Sequence, residues 1–126
     1  LEDKSIQLWS YNLETILAEK IQTILSRGLL NTRMRDFYDV TTLFDRYNDS
    51  INYNDLSLAF DKTCRKRETL SVLEHYEEIL CSISEDSTLQ NLWKNYCRKY
   101  KYASHIEFST NLEIIKQLMS QMLEIE

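Results

Sequence analysis

Apolar residues recur every three to four positions along most of this chain, a period that predicts helices. The first stretch runs from about Leu13 to Arg27, with Leu13, Ile16, Leu17, Ile21, Ile24 and Leu25 on one stripe. Asn12 or Ser10 can cap its start, and Gly28 supplies a left-handed stop. A second helix is predicted over about Arg33–Tyr47, with Asn31 or Thr32 at its start and an apolar arc of Phe37, Val40, Leu43, Phe44 and Tyr47. A third covers about Asp55–Arg67, with Leu56, Ala59, Phe60, Thr63 and Cys64 on one side. The fourth opens on Ser71 with Glu74, the pattern of a capping box, and carries Val72, Leu73, Tyr76, Ile79, Leu80 and Ile83. The fifth spans about Thr88–Tyr102, with Leu89, Leu92, Trp93, Tyr96 and Tyr100. The sixth opens on a second capping-box pattern, Ser104 with Glu107, and carries Phe108, Leu112, Ile115, Leu118, Met119 and Met122. Only Ser5–Tyr11 departs from this rhythm. There Ile6 and Leu8 alternate with their neighbours, which reads as a short strand whose partners the chain does not contain. The expectation is an all-α bundle of about six helices over residues 12–126, preceded by a strand stub over residues 1–11.

Composition narrows the chemistry. One glycine and no proline in 126 residues argue against an all-β fold, which needs frequent turn signals. The same scarcity excludes a Walker A loop and a dinucleotide fingerprint. The net charge of −5 argues against a generic nucleic-acid coat. Its distribution is uneven: residues 61–101 hold eight basic and seven acidic side chains, whereas both flanking segments are net negative. The middle third is therefore the part able to face a polyanion. Cys64, Cys81 and Cys97 lack metal-ligand spacing, sit in apolar-patterned segments and read as small hydrophobes, reduced in the cytosol. No apolar run reaches membrane-spanning length, so a soluble, cytoplasmic chain with no membrane partner is expected. A first residue of Leu1 rather than Met hints at a fragment.

Two charged residues sit where the helical pattern wants apolar ones. At about 100° per residue, Lys20 falls roughly 20° from Leu13 and roughly 40° from Ile24, inside the stripe. Arg27 lies on the same line, while Glu19 and Gln22 fall on the solvent side. On the second helix Asp36 and Arg33 share the arc of Phe37, Val40 and Leu43, and Asp39 lies at its edge. An unpaired buried charge costs several kcal/mol, so these groups are paired or face a wet cleft. Three readings follow: a Lys20–Asp36 ion pair stapling antiparallel helices, a lysine snorkelling past the stripe, or a polar cleft in which Lys20, Arg27 and Arg33 meet phosphate. In the third, Asp36 holds a metal ion or orients Lys20.

The stretch from Tyr11 to Phe44 resembles the core of the AbiEii-type nucleotidyltransferase toxins. Their "AEK…R" helix and "R-x-K-D-x-Y-D" helix read here as Ala18-Glu19-Lys20…Arg27 and Arg33-Met34-Arg35-Asp36-Phe37-Tyr38-Asp39. The segment Ala59–Arg67 is similar to a later family helix, and Trp93 with Tyr96 matches a Trp-x-x-Tyr helix. The likeness is specific over residues 14–39 and loose after residue 70. Arg35 stands where the family usually has lysine, which keeps the charge and changes the geometry. The family's amino-terminal palm, with its Gly-Gly/Ser loop and metal-binding Asp-x-Asp pair, has no counterpart in this sequence.

The resemblance thus implies the carboxy-terminal helical part of such a toxin, with Ser5–Tyr11 a remnant of the palm sheet. The parent would transfer a nucleotide from a nucleoside triphosphate to an RNA acceptor such as tRNA, using two Mg²⁺ ions held by the palm. It would work in an antitoxin-paired or phage-defence (abortive infection) system. Lys20 and Asp36 match the family's catalytic lysine and aspartate, with Lys20 on nucleotide phosphate and Asp36 placing the nucleophile or Lys20. Arg27 and Arg33 would assist at the phosphates. Arg35 and Asp39 are support candidates, and Asp39 can equally pair with Arg35 or Arg46. The 126 residues alone would hold no metal and be catalytically inert.

Two basic clusters remain. Lys94, Arg98 and Lys101 are expected on one face of the fifth helix, with Tyr96 and Tyr100 on its apolar side. Arg65, Lys66 and Arg67 end the third, and Arg67 can turn into the cleft. Each reads as a solvated face or as an RNA-backbone contact. His75 and His105 lack partners with catalytic spacing. The alternatives to a toxin half are a non-catalytic helical module binding RNA or protein, and a purely structural bundle. Stripes left bare where the palm docks would favour self-association.

Overall fold

The computed structural model describes the backbone of residues 2–124 and the side chains of residues 13–124. Its regular elements are all helical: α1 (Glu2–Arg27), α2 (Met34–Tyr47), α3 (Tyr53–Lys66), α4 (Ser71–Glu85), α5 (Ser87–Lys99) and α6 (Phe108–Glu124). Short 3-10 turns at Gly28–Leu30, Asn48–Ser50 and Lys101–Ala103 follow α1, α2 and α5. The all-α bundle stands.

The expected strand over Ser5–Tyr11 is helix instead, and α1 runs unbroken through positions 11 and 12. Neither glycine nor proline interrupts Ser5–Leu13, and Ile6, Trp9 and Leu13 also fit a spacing of three and four. Asn12 and Ser10 therefore lie inside α1 rather than at its start. Gly28 does end it, at φ +52°, where a Cβ would strain the backbone.

α1 is the axis of the bundle. It packs on α2, α3 and α4, while α6 closes the other side against α2, α3 and α4. Its stripe of Leu13, Leu17, Ala18, Ile21, Ile24 and Leu25 is buried, as are Phe37 and Val40 of α2, Leu56 and Phe60 of α3, and Ile115, Leu118 and Met119 of α6. Each large aliphatic side chain removed from water contributes about 1.5–3 kcal/mol before conformational entropy is subtracted. Phe37 meets Phe108 at 5.2 Å between ring centroids, and the buried Trp93 Nε1–H donates to the Ile106 carbonyl at 2.9 Å.

Helix ends depart from the expected signals. Neither capping box forms. Leu70, with no side-chain bond, occupies the cap of α4, which grows out of a turn in which Val72 N donates to the Thr69 carbonyl. Ser104 donates instead to the Lys101 carbonyl, and α6 starts only at Phe108. Among the described residues the side-chain caps that form are Asn52, accepting from Asp55 N on α3, and Asp86, accepting from Leu89 N on α5. The chain leaves α3 through Glu68 at φ +57°. Thr69 N donates to the Cys64 carbonyl and Glu68 N to the Arg65 carbonyl, which is a Schellman ending without its usual glycine.

That reversal explains Gln22, expected in solvent and found 1% exposed. It returns Arg67 and Thr69 to α1. Gln22 Nε2 donates to Thr69 Oγ1 at 2.7 Å, and Arg67 donates to the Gln22 amide oxygen and to Thr23 Oγ1. All three cysteines are free thiols. Cys64 is buried and Cys97 half-buried, but Cys81 is exposed, outside the apolar side of α4.

Candidate functional site

The misplaced charges meet between α1 and α2. Gly28 and the 3-10 turn after it fold α2 back along α1, bringing Asp36 and Asp39 to Lys20. Lys20 Nζ lies 2.9 Å from Asp39 Oδ2 and 3.7 Å from Asp36 Oδ1. Asp36, in the first turn of α2, is nearly sealed, with its side chain 7% exposed. Its second cation is Arg33, whose Nε stands 3.7 Å from the same oxygen while the guanidinium is 70% exposed. Asp39 has two partners as well, because Arg35 Nε donates to its Oδ1 at 2.9 Å. The carboxylate of Asp39 pushes the Arg35 pKa up, by hydrogen bond first and by charge second.

Three cations and two carboxylates give this seam a formal charge of +1. Lys20 is held by two acids yet is 24% exposed, so one side of its ammonium is open. The open side belongs to a net positive seam, and the two carboxylates fix the lysine in place. Pairing and exposure thus coexist, joining two of the readings that the sequence left open. Arg27 does not join the cluster. It is exposed and forms no ion pair among the described residues.

The other basic candidates scatter. Arg65 pairs with Asp61 on its own helix at 2.8 Å, Lys66 is exposed, and Arg67 is tied to Gln22 and Thr23 rather than turned toward Lys20. Lys94 and Arg98 line a groove of about 530 Å³ floored by Trp93, Ile106 and Phe108. Lys101 is not on their face: Tyr100 adopts an extended conformation, α5 stops at Lys99, and Lys101 belongs to the next turn. His75 is exposed beside Glu74 and Glu78, as its acidic surroundings suggested.

Residues 1–114 match the family model described as nucleotidyl transferase AbiEii toxin, type IV TA system. The chain belongs to the AbiEii family. The match takes in α1 to α5 and the opening of α6, and so the whole Lys20 seam. AbiEii proteins of this description are nucleotidyltransferase toxins, and a type IV system pairs its toxin with an antitoxin. No curated protein and no solved structure gives a match. No helix among the described residues is long and apolar enough to cross a membrane.

A magnesium ion, implied by this chemistry, does not fit the AbiEii seam. Among the described residues no three of His, Cys, Asp and Glu converge on one point, and Asp36 and Asp39 are each occupied by two cations.

The sequence places Tyr96 and Tyr100 on the apolar side of the fifth helix but does not place them beside this seam. Tyr38 of α2 meets Tyr102 at 4.9 Å and Tyr96 at 6.3 Å between ring centroids. The repeat of Tyr96, Tyr100 and Tyr102 was a visible signal. The return of α5 onto α2 was not.

Proposed function

We propose that this chain is the helical side of an AbiEii nucleotidyltransferase active site, whose metal-binding carboxylates are contributed by a palm outside these 126 residues. Lys20 holds a phosphate of the nucleoside triphosphate, Asp36 fixes Lys20 and the acceptor hydroxyl, and Arg33 neutralises charge at the rim. Asp39 and Arg35 keep the lysine in register, and the acceptor is an RNA such as tRNA. One observation carries this reading: a lysine on an apolar stripe, clamped by two carboxylates and still open to solvent on one side. The absence of any Asp-x-Asp from the sequence supports a shared site rather than a complete catalyst. On this reading the 126 residues alone transfer nothing.

The test is transfer of label from α-labelled nucleoside triphosphates to tRNA with magnesium, using the toxin as its own cell makes it. Lys20→Met and Asp36→Asn are each expected to lower transfer by about a hundredfold, the scale of losing one positioned charge at a reacting centre. Arg27→Gln, outside the cluster, should cost much less. Transfer retained in Lys20→Met overturns the assignment. RNA binding that weakens with salt, without transfer in any context, favours the non-catalytic module.

A further inference from the structure

Aromatic side chains form a continuous path from the core of the bundle to its surface. Inside, Phe37 touches Phe108, and Phe108 faces Trp93 at 6.1 Å. Trp93 stacks on Tyr96 at 5.4 Å with the rings 20° apart. Tyr96 leads out to Tyr100 at 4.8 Å, and Tyr100 to Tyr102 at 5.5 Å. Composition changes along the way: the buried members are Phe and Trp, and the outer four are all Tyr. The outermost, Tyr102, stands in the 3-10 turn after α5 and is 46% exposed.

The outer rings are fixed before any ligand arrives. Tyr96 and Tyr102 share a hydrogen bond between hydroxyls at 3.2 Å, and Tyr38 supports Tyr102 from α2. Burial and that bond push the Tyr96 pKa up. Cations border the rings. Lys99 Nζ lies 5.4 Å from the Tyr100 ring centre, Lys101 begins the turn that holds Tyr102, and Arg35 lies near Tyr96 and Tyr102. In a chain of net charge −5, this concentration of lysine and arginine around the exposed Tyr102 and the half-buried Tyr100 is local. The patch also adjoins the proposed site, because Arg35 and Lys20 bind the two oxygens of one carboxylate, Asp39.

We propose that this tyrosine face binds single-stranded RNA: Tyr102 and Tyr100 stack its unpaired bases, and Arg35, Lys99 and Lys101 contact its phosphates. Exposed aromatic faces flanked by cations are the usual means of holding unpaired strands, and a duplex hides the base faces they need. The phenol hydroxyls add donors and acceptors for the 2′-hydroxyl, which favours RNA over DNA. The strand's path toward Lys20 rests on the function proposed above. Binding itself does not.

The experiment is fluorescence anisotropy with a labelled 12-nucleotide RNA, the same RNA annealed to its complement, and the DNA version, each at two salt concentrations. The full chain should bind the single-stranded RNA best, and more weakly at the higher salt. Tyr102→Ala should weaken binding about tenfold with an unchanged melting temperature, and Tyr102→Phe should keep most of the affinity. Lys101→Glu should weaken binding and flatten its salt dependence. Unchanged affinity in both Tyr102→Ala and Lys101→Glu overturns the inference, as does equal or better binding of duplex or DNA, or no binding at all. Lys20→Met separates the two claims. Normal RNA binding without transfer supports both, whereas normal transfer with Tyr102-dependent binding overturns only the role of Lys20.

Discussion

α1 carries two polar seams, and they are built on opposite principles. Toward α2, Lys20 sits among Asp36, Asp39, Arg33 and Arg35, charged throughout and open on one side. Toward the α3–α4 junction, Gln22 is fully enclosed and bonded to Thr69 and Arg67. The second seam has one arrangement, since its buried amide loses hydrogen bonds in any other. The first has several, since each carboxylate has two cations and each cation has access to water. A network anchored on a buried amide fixes where helices lie. A wet, charged one can exchange a partner for a ligand. Folding and function are thus divided between two faces of one helix.

The comparison breaks first at Gln22. Gln22→Ala removes the acceptor of Arg67 and the donor to Thr69 and leaves a buried gap, so urea denaturation should show a loss of about 2–3 kcal/mol. A loss as small as that of an exposed residue would remove the distinction between the seams. Asp36→Ala comes next, at about 1–2 kcal/mol, because both cations it releases can reach water. If Asp36→Ala proves more damaging than Gln22→Ala, the charged seam is the staple after all. Glu68→Gly acts in the other direction. The left-handed φ of Glu68 is strained for a residue with a Cβ, and relief of that strain should raise stability by about 1 kcal/mol. Because Glu68 turns the chain that delivers Arg67 and Thr69, this gain should vanish when Gln22 is already alanine.

The seams also differed in how far the sequence disclosed them. Lys20 and Asp36 were conspicuous because a charge on an apolar stripe must meet either a partner or water, and one helical period suffices to show it. For Asp39 the sequence offered Arg35 or Arg46, and Arg35, four residues away on one helix, is the partner it has. Gln22 was misplaced for the converse reason: its partners arrive from a chain reversal at Glu68, which lacks the glycine that would have announced it. The same limit applies to Ser5–Tyr11, where seven residues satisfy strand and helix patterns alike and only continuity with α1 decides. The stripes of all six helices could be phased from the sequence. The return of α5 that joins Tyr96 and Tyr102 to Tyr38 could not, since no periodicity encodes which helices become neighbours.

The smallest stability change is expected at Lys20. Methionine matches the aliphatic length of lysine and suits the stripe between Leu17 and Ile21. Asp36 keeps Arg33 and Asp39 keeps Arg35, so neither carboxylate is left without a cation. A partly exposed ion pair contributes about 0–1 kcal/mol, and Lys20→Met should shift the urea midpoint by no more than that. The change is informative because transfer is expected to fall about a hundredfold in the same variant. A large loss in both would mean that Lys20 holds the helices together and that its effect on activity is secondary. A small loss in stability with a large loss in transfer separates the two seams: the lysine is retained for what it contacts beyond the fold.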